Sequence, residues 1–322
     1  MSDYGSLSRA IEVFGYAAAF GVKKAKESFG LTDETFKRYM RGVRNDRGWE
    51  LPARPNWLHE IAEKFSDAEL QAIAKGGRLV PGSEPVPVVS FGGKHFRIGA
   101  MSDLHIGHKC FSSLRLEQAF DEFRKREVDM VTISGDITEG MSNRPGQIYE
   151  LDHLGFDAQK HEAIRLLGQW TDTDVYMIDG NHDRWFLKSN GAIIVKDIAE
   201  ALDNYHFLGH DEGDISLDGR ATIKLWHGED GNSYALSYRL QKIIESMSGG
   251  EKPNVLIAGH VHKYANIFER NVWCVSAGCL ESQTKWMRGK RLAAHVGFCI
   301  LDVWVGKRGV TRFQVEWYPF YA

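Results

Sequence analysis

The chain has 322 residues, a formal net charge of -3 at pH 7, and 43% hydrophobic residues. That length suits one large domain or a domain with a smaller companion, and the apolar content excludes a disordered chain. No apolar run approaches the roughly 20 residues that span a bilayer, and the first residues lack the pattern of a secretory signal. The near-neutral charge argues against a whole-protein electrostatic footprint for nucleic acid but leaves a local basic patch open.

The cysteine pattern bears on compartment and on metal chemistry. The four cysteines form no Cys-x-x-Cys pair; they are Cys110, Cys274, Cys279 and Cys299. We therefore expect reduced, buried thiols in a cytoplasmic protein, and neither disulfides nor a thiolate metal site.

Residues 1–75 are predicted to form a small all-helical domain. Apolar residues recur at helical spacing in five segments. These are residues 6–20, 22–29, a third segment that Thr32 can cap, 57–65 and 67–74. Two helices joined by a tight turn at Gly30 have the pattern of a helix-turn-helix, which binds DNA in many proteins and is purely structural in others.

The second and third predicted helices carry an excess of positive charge. Residues 22–47 hold eight Lys or Arg and four Asp or Glu. Four cations can line one exposed face: Lys37, Arg38, Arg41 and Arg44. One interpretation is contact with DNA and the other is a charged face that is merely solvated; the sequence does not separate them.

A cluster of Gly and Pro in residues 76–93 marks a linker, after which residues 94–322 form the main predicted domain. There, predicted strands alternate with predicted helices, which implies βαβ units and largely parallel pairing. The strands cover residues 96–101, 129–134, 174–178, 222–226 and 254–258, and the helices cover 114–125, 156–170, 192–202 and 234–247. The tail is rich in strands, at residues 271–276, 295–304 and 310–317, and suggests a second sheet packed on the first.

Polar residues directly follow five of these strands. They are Asp103 and His105, then Asp136, then Asn181, His182 and Asp183, then His227, and finally His260 and His262. In open α/β sheets ligands bind at the carboxyl ends of the strands, so these side chains are expected in one crevice. Each short motif alone is more often a turn or an incidental polar pair. Their occurrence in order, each at a strand end with helix-sized gaps between, predicts a functional site.

The residue types indicate divalent metals. Carboxylate oxygen and imidazole nitrogen suit Mn, Fe or Zn, and the Asp-x-His and His-x-His spacings turn two side chains the same way from extended backbone. A single carboxylate such as Asp136 can bridge two ions. Two metals about 3.5–4 Å apart can clamp both the attacking and the leaving oxygen of a phosphoryl displacement.

This series of motifs resembles the signature of the calcineurin-like metallophosphoesterases, over residues from about 95 to 265. The resemblance implies an α/β fold, a four-layer α/β/β/α sandwich, here with the small helical domain in front of it. It implies one metal held by Asp103, His105, Asp136 and His262, and another held by Asp136, Asn181, His227 and His260. His182 would stabilise the phosphoryl oxygens or protonate the leaving group, and Asp183 would orient it. A metal-bound hydroxide would attack phosphorus in line.

The sequence gives weaker evidence on which branch of the family, and so which substrate class, the chain resembles. Residues 137–140 read Ile-Thr-Glu-Gly where the family's protein phosphatases have Val-Asp-Arg-Gly, and Asp183 stands where that branch has Glu. Both features look closer to the phosphodiesterase branch and to the SbcD-like nucleases. They argue against phosphoprotein substrates.

Three features favour nucleic acid, each with a plainer alternative. The helix-turn-helix pattern is one. Asn143 and Arg144 follow a predicted ligand, where Arg144 can reach a phosphate or only pair within its loop. Residues 285–291 interleave cations such as Arg288 with Trp286, which can stack on a base or form a solvated turn. Arg184 can line the substrate groove or simply pack.

We therefore expect a two-metal-dependent phosphodiester hydrolase, with a DNA nuclease as the first hypothesis. The alternatives are a small-molecule phosphodiesterase or phosphatase acting on nucleotide-type substrates, and a DNA-binding protein with an idle metal site. The intact pair of His182 and Asp183 argues against the idle site. Two divalent ions are expected, manganese first with Fe, Zn or Mg as alternatives. DNA is the expected partner, no membrane is involved, and the Trp-rich terminal strands would permit a homodimer.

Overall fold

A computed structural model describes most of the chain. The described residues are 4–20, 22–49, 86–90, 93–142, 144–229, 235–248, 252–307 and 309–320. The chain divides into two compact units, Met1–Asp67 and Ala68–Ala322. The boundary between them, the linker's Gly/Pro cluster and the two helices expected at residues 57–65 and 67–74 lie outside the described ranges, so the predicted domain limits stay a prediction.

The described part of the first unit is helical, as the apolar spacing predicted. It contains α1 (Tyr4–Phe20), α2 (Val22–Phe29) and α3 (Asp33–Arg47). The Thr32 hydroxyl caps α3 by accepting a hydrogen bond from the Thr35 amide at 3.3 Å, which satisfies one of the donors left free in a first turn. Val13, Ala17, Ala25 and Phe36 form the buried core of these helices.

The predicted basic face lies on α3. All four of its cations are exposed: Lys37, Arg38, Arg41 and Arg44. Both DNA contact and simple solvation require these side chains to be exposed, so their exposure does not distinguish the two interpretations. Among the described helices of the chain, none combines the length and apolar character that crossing a bilayer requires.

The second unit alternates strands and helices. Its strands are β1 (Val88–Val89), β2 (His95–Met101), β3 (Met130–Ser134), β4 (Val175–Asp179), β5 (Tyr205–His210), β6 (Glu212–Leu217), β7 (Ala221–Trp226), β8 (Val255–Ala258), β9 (Tyr264–Glu269), β10 (Val272–Ala277), β11 (Gly297–Gly306) and β12 (Gly309–Pro319). Its α-helices are α4 (Ser113–Lys125), α5 (Gly155–Leu167), α6 (Arg184–Asn190), α7 (Ile194–Glu200), α8 (Leu236–Ser246) and α9 (Lys285–Gly289), with a 3-10 turn at Gln147–Tyr149.

The strands form two six-stranded sheets. The first has the order β12-β11-β2-β3-β4-β5 and the second has the order β1-β6-β7-β8-β10-β9. Strands β2 to β5 are parallel, while β11 and β12 extend the first sheet in antiparallel fashion. The expectation that the tail strands make a second sheet is therefore wrong in detail. The tail is split between the sheets, and β7 and β8 lie in the second sheet with β10.

Several elements of the second unit were not predicted, among them β5, β6 and α6. Strands β5 and β6 carry His, Asp and Gly among their apolar residues, which hides the alternation that marks a strand. Helix α6 begins directly at Arg184, inside what the sequence indicated only as a polar turn, and a separate α7 replaces the longer helix expected at residues 192–202.

The sheets pack face to face and helices cover their outer faces. Ile98 and Ile178 of the first sheet and Ile223 and Ile257 of the second are fully buried in one cluster between the sheets. Helices α4, α5 and α7 bury apolar residues on the first sheet, and α8 does the same on the second. The predicted four-layer α/β/β/α sandwich is confirmed.

The packing of α4 on the first sheet predicts that two substitutions in this helix differ in their effect on stability. Phe123 is fully buried, with its ring 5.1 Å from that of Phe298 and 6.0 Å from that of Trp170. Phe123→Ala should lower the free energy of unfolding by about 3–5 kcal/mol, because it removes a large apolar side chain and leaves a cavity. Leu114→Ala, at a position that is 60% exposed on the same helix, should change it by about 0.5 kcal/mol or less. Urea denaturation followed by circular dichroism measures both; equal effects would contradict this packing.

Candidate metal centre

Five strand ends from both sheets meet at one edge of the sandwich. Strands β2, β3 and β4 of the first sheet deliver their following loops to the same place as β7 and β8 of the second. Backbone hydrogen bonds tie these loops together: the Asp103 amide donates to the Gly135 carbonyl at 3.0 Å and the His105 amide to the Asp136 carbonyl at 3.0 Å. The His260 amide, after β8 of the second sheet, donates to Asp103 Oδ2 at 3.0 Å, so the expected crevice is built between two sheets and not along the edge of a single one.

Most of the candidate ligands have a left-handed backbone. Positive φ angles occur at Asp103 (52°), His105 (55°), Asp136 (49°), His260 (78°) and His262 (53°). Such conformations cost about 1–3 kcal/mol each for residues with a Cβ and persist where the surroundings enforce them, commonly at functional sites. Five of the seven candidate ligands that the sequence singled out therefore have this strained backbone.

The first cluster joins Asp103, His105 and His262. His262 Nε2 lies 3.3 Å from Asp103 Oδ1 and 3.1 Å from His105 Nε2. His105 Nε2 is also 3.8 Å from Asp136 Oδ2. Four donor atoms on buried side chains therefore face one small volume.

The second cluster joins Asp136, Asn181, His227 and His260. Asp136 Oδ2 lies 3.1 Å from His227 Nε2. Asn181 Oδ1 lies 3.2 Å from His227 Nε2 and 2.8 Å from His260 Nδ1. Asp136 faces both clusters, which is the position a bridging carboxylate would occupy.

These donors suit divalent cations in type and in orientation. Carboxylate, amide oxygen and imidazole nitrogen are ligands for borderline divalent metals. The Nδ1 atoms of two rings are engaged behind the site, that of His105 by Glu139 Oε2 at 2.8 Å and that of His227 by the Ser134 carbonyl at 2.7 Å. Each Nε2 is thereby directed into its cluster, since the partner of one ring nitrogen fixes the role of the other. Groups of described side chains close enough to hold a metal ion occur in both clusters.

The pKa values of the second cluster reflect its charges. Burial and the neighbouring His227 lower the pKa of His260 to about 4, so its imidazole is neutral, as coordination requires. Burial alone would lower the pKa of His227, but the carboxylate of Asp136 outweighs it and raises the pKa to about 9. A cation that binds between these groups must therefore displace a proton.

His182 stands beside the clusters and opens to solvent. Its amide donates to Asp136 Oδ1 at 2.8 Å, and its Nδ1 lies 2.9 Å from the Glu139 carbonyl oxygen. Its ring is 31% exposed. Burial lowers the pKa of His182, but the charges of Asp136 and Glu139 outweigh burial and raise it to about 10. The ring can therefore carry a proton at neutral pH.

The carboxylate that contacts the His182 ring is that of Glu139, and not that of Asp183 as expected. Asp183 Oδ1 accepts hydrogen bonds from the amide and hydroxyl of Thr138, both at 2.8 Å, and Oδ2 accepts from the amides of Ile137 and Gly180 at 3.1 and 3.0 Å. Burial, then the charge of Asp136, raises the pKa of Asp183 to about 6. Asp183 thus ties two loops together and turns away from the ring.

Glu139 is the residue that the sequence analysis missed. Its Oε2 lies 2.8 Å from His105 Nδ1 and 3.3 Å from His182 Nδ1, and its Oε1 accepts from Gln147 Nε2 at 2.9 Å. One buried carboxylate therefore holds both a candidate ligand and the candidate acid. Its place three residues after Asp136 could have indicated a role in the site. In the sequence analysis, residues 137–140 served only to compare branches of the family.

A cavity of about 590 Å³ opens over both clusters. Its walls include Arg144, Trp185 and Trp286, and the Trp286 side chain is 49% exposed. Arg144 also forms an ion pair with Glu150 at 2.5 Å, so the loop-pairing interpretation describes one of its contacts.

The other predicted substrate contacts fall elsewhere. Arg288 lies in a neighbouring groove with Arg291. Arg184 is buried and pairs with Asp179, Asp211 and Glu229 at 3.1, 2.6 and 3.2 Å, so the packing interpretation describes it because three carboxylates occupy its guanidinium. Asn143 lies outside the described residues.

The chain resembles several known proteins in sequence. The chain is 28% identical over 310 residues to the DNA polymerase II small subunit of Methanothermobacter thermautotrophicus, covering 79% of this chain and 62% of that protein. It is 23% identical over 241 residues to the protein of the same name from Halobacterium salinarum, covering 63% of this chain and 47% of that one. The chain thus spans less than two thirds of the length of either relative.

Solved structures to which the chain is similar include a novel archaeal phosphodiesterase, at 15% identity and a TM-score of 0.40, which covers 69% of this chain and 100% of that one. A phosphoesterase from E. coli is 14% identical with a TM-score of 0.40 and covers 68% of this chain and 98% of that one. The model of the calcineurin-like phosphoesterase superfamily domain matches residues 96–303. The chain therefore belongs to the calcineurin-like phosphoesterase superfamily.

Proposed function

We propose that this protein is a two-metal phosphodiester hydrolase that acts on DNA. The observation that carries the proposal is the pair of clusters that share Asp136, beneath a cavity that His182 lines. Membership of a phosphoesterase superfamily supplies the reaction class. The choice of DNA rests on the cavity walls, the basic helical face and the names of the relatives.

We assign the ligands by proximity. The first metal would be held by Asp103, His105, Asp136 and His262, and the second by Asp136, Asn181, His227 and His260. When bound, two divalent cations would acidify a coordinated water and place positive charge opposite the phosphoryl oxygens. The nitrogen and oxygen donors suit manganese, which is our first choice, and also Fe, Zn or Mg.

The chain's own groups would handle the leaving oxygen. The charges of Asp136 and Glu139 raise the pKa of His182 and favour its protonated form, and its Nδ1 is held by Glu139, which leaves Nε2 for the substrate. A positioned acid of this kind can donate to the departing oxygen or to a phosphoryl oxygen. We assign Asp183 to the support of the loops that carry Asp136 and Asn181, in place of direct contact with His182.

Several surfaces support a nucleic-acid substrate. Trp185 and Trp286 line the cavity, and aromatic faces stack on bases without regard to sequence. Arg144 lies in the same wall and can reach a phosphate by exchanging its partner Glu150. Exposed cations on α3 and around Arg288 can contact the backbone. The relatives are named as small subunits of a DNA polymerase, which supports both DNA and a partner subunit for this chain.

A non-catalytic subunit with an idle site is the second candidate, and the relatives' name is the observation that favours it. Against it, every ligand that the family signature requires is present and directed into one of the clusters. The ring of His182 also has a carboxylate neighbour, Glu139, in place of the expected Asp183. We therefore place hydrolysis first.

Substitution of His182 tests the assignment of the acid. With manganese and bis-p-nitrophenyl phosphate, His182→Ala should lower hydrolysis by about 10²–10⁴-fold, because a positioned acid contributes that much. Metal content, measured by mass spectrometry of the dialysed protein, should stay unchanged. His161→Ala, an exposed histidine on α5, is the control and should retain full activity. Full activity of His182→Ala would remove this residue from the mechanism.

The DNA assignment has a direct assay. The protein is incubated with manganese and labelled single-stranded or double-stranded DNA, in parallel with the small reporter. We expect cleavage of DNA as well as of the reporter, both lost in His182→Ala. Reporter cleavage without DNA degradation would leave the small-molecule phosphodiesterase as the better description.

The cavity wall predicts an effect on affinity. Trp286→Ala should weaken binding of a single-stranded oligonucleotide by about 1–3 kcal/mol, the cost of losing one base-stacking contact. Fluorescence anisotropy with the inactive His182→Ala background measures it. Phe268→Ala, at a ring that is 53% exposed on β9, is matched in exposure and should not change affinity. Equal effects of the two changes would argue against stacking on Trp286.

A further inference from the structure

We propose that Arg239 is a positioning residue that fixes the two loops of the second metal, those carrying His227 and His260. This inference rests on the proposed two-metal site. Arg239 lies on the outer helix α8 and not, like the candidate ligands, in a loop that directly follows a strand. Its guanidinium nevertheless reaches the backbone of both loops.

Helix α8 provides a rigid base for Arg239. Leu240, Ile243 and Ile244 on the same helix are buried against Leu256 and Cys274 of the second sheet. Arg239 itself is only 5% exposed. Because the helix is anchored by this apolar face, the guanidinium is directed toward the loops and not into solvent.

The contacts of Arg239 span the two loops. Nη1 donates to the Gly259 carbonyl at 2.8 Å, and Nη2 donates to the His227 carbonyl at 3.1 Å. One acceptor belongs to a candidate ligand and the other to the residue just before a candidate ligand, His260. Since the guanidinium is planar and its donors are held in a fixed fork, it sets the spacing between the two carbonyls.

The sheet alone does not fix this spacing. Strands β7 and β8 pair as far as Trp226 and Ala258, and the Gly259 amide makes one further bond to the Trp226 carbonyl at 2.9 Å. Beyond that bond His260 adopts a φ of 78°, which ends the extended backbone of β8. The Arg239 fork acts just where the ladder ends and the strained turn begins.

The first cluster has different supports. The Leu280 amide donates to the Asp103 carbonyl at 3.1 Å, and the His295 amide donates to the His262 carbonyl at 2.7 Å. The side chain of His105 is held by Glu139. The His260 amide also donates to Asp103 Oδ2 at 3.0 Å, which links the two clusters. Loss of Arg239 should therefore weaken the second metal more than the first.

Metal titration tests this selectivity without relying on catalysis. Wild type should bind two Mn²⁺ per chain in isothermal titration calorimetry. Arg239→Gln, which loses the two-pronged donor, should keep one site and bind at the other about 10–100-fold more weakly, as is typical for residues that orient ligands. Arg239→Lys keeps the charge and can donate to one carbonyl, so it should fall between them. Hydrolysis of the reporter by Arg239→Gln should be restored by excess Mn²⁺.

The control is Arg97→Gln; Arg97 is a partly buried arginine that bonds to Asp302 on the first sheet. It should lower the melting temperature but keep two manganese sites. If Arg239→Gln, or Arg239→Lys should the Gln variant not fold, binds two Mn²⁺ with wild-type affinities, the positioning role is overturned while the proposed function stands. If wild type binds two Mn²⁺ without hydrolysing phosphodiesters, the proposed function fails and the titration still decides on Arg239. Fewer than two sites in wild type would overturn both.

Discussion

The buried carboxylate of Asp136 is the interaction on which the site depends. It lies 3.1 Å from His227 Nε2 and 3.8 Å from His105 Nε2, and it accepts the His182 amide at 2.8 Å. A buried charge is costly unless cations and donors surround it. Here the surrounding groups come from both sheets, and they hold the pKa of Asp136 well below its usual range despite burial. Keeping this one charge satisfied requires the loops after three other strands, β2, β4 and β7, to converge on it.

That convergence leaves little space. A Cβ at Gly180 would lie 2.2 Å from Asp136 Oδ1, and one at Gly259 would lie 2.4 Å from the Ser134 carbonyl oxygen. Glycine is required at these positions for close approach, which explains why Gly precedes Asn181 and His260 in the motifs. The same crowding holds five residues with a Cβ in left-handed conformations. The energy for this strain comes from the core between the sheets and from carboxylates such as Asp183 that bind backbone amides.

The polar supports fall into two groups with different tasks. Glu139 joins His105 and His182, so it couples one metal cluster to the acid that would serve the substrate. Arg239 joins the loops of His227 and His260 and acts on the other cluster. If two metals bind as proposed, the carboxylate of Glu139 would thus support the ligands of one metal, and the guanidinium of Arg239 would support those of the other. Around them, Trp185, Trp286 and Arg144 shape a cavity suited to a base and a phosphate.

The sequence by itself determined the α/β class, the helical first segment, the strands that carry the site, and the identity of the residues at their ends. These are local properties, because apolar periodicity and strand-terminal motifs can be recognised within a few residues. Only the tertiary structure decided that β7 and β8 belong to a different sheet from β2, β3 and β4. It also decided that Glu139, not Asp183, supports His182, that Arg184 is buried among carboxylates, and that Arg239 reaches His227. Those outcomes depend on partners that are far apart in the chain, such as Glu139 and His182 at a separation of 43 residues. A local sequence pattern does not indicate which distant group will pair with a buried charge.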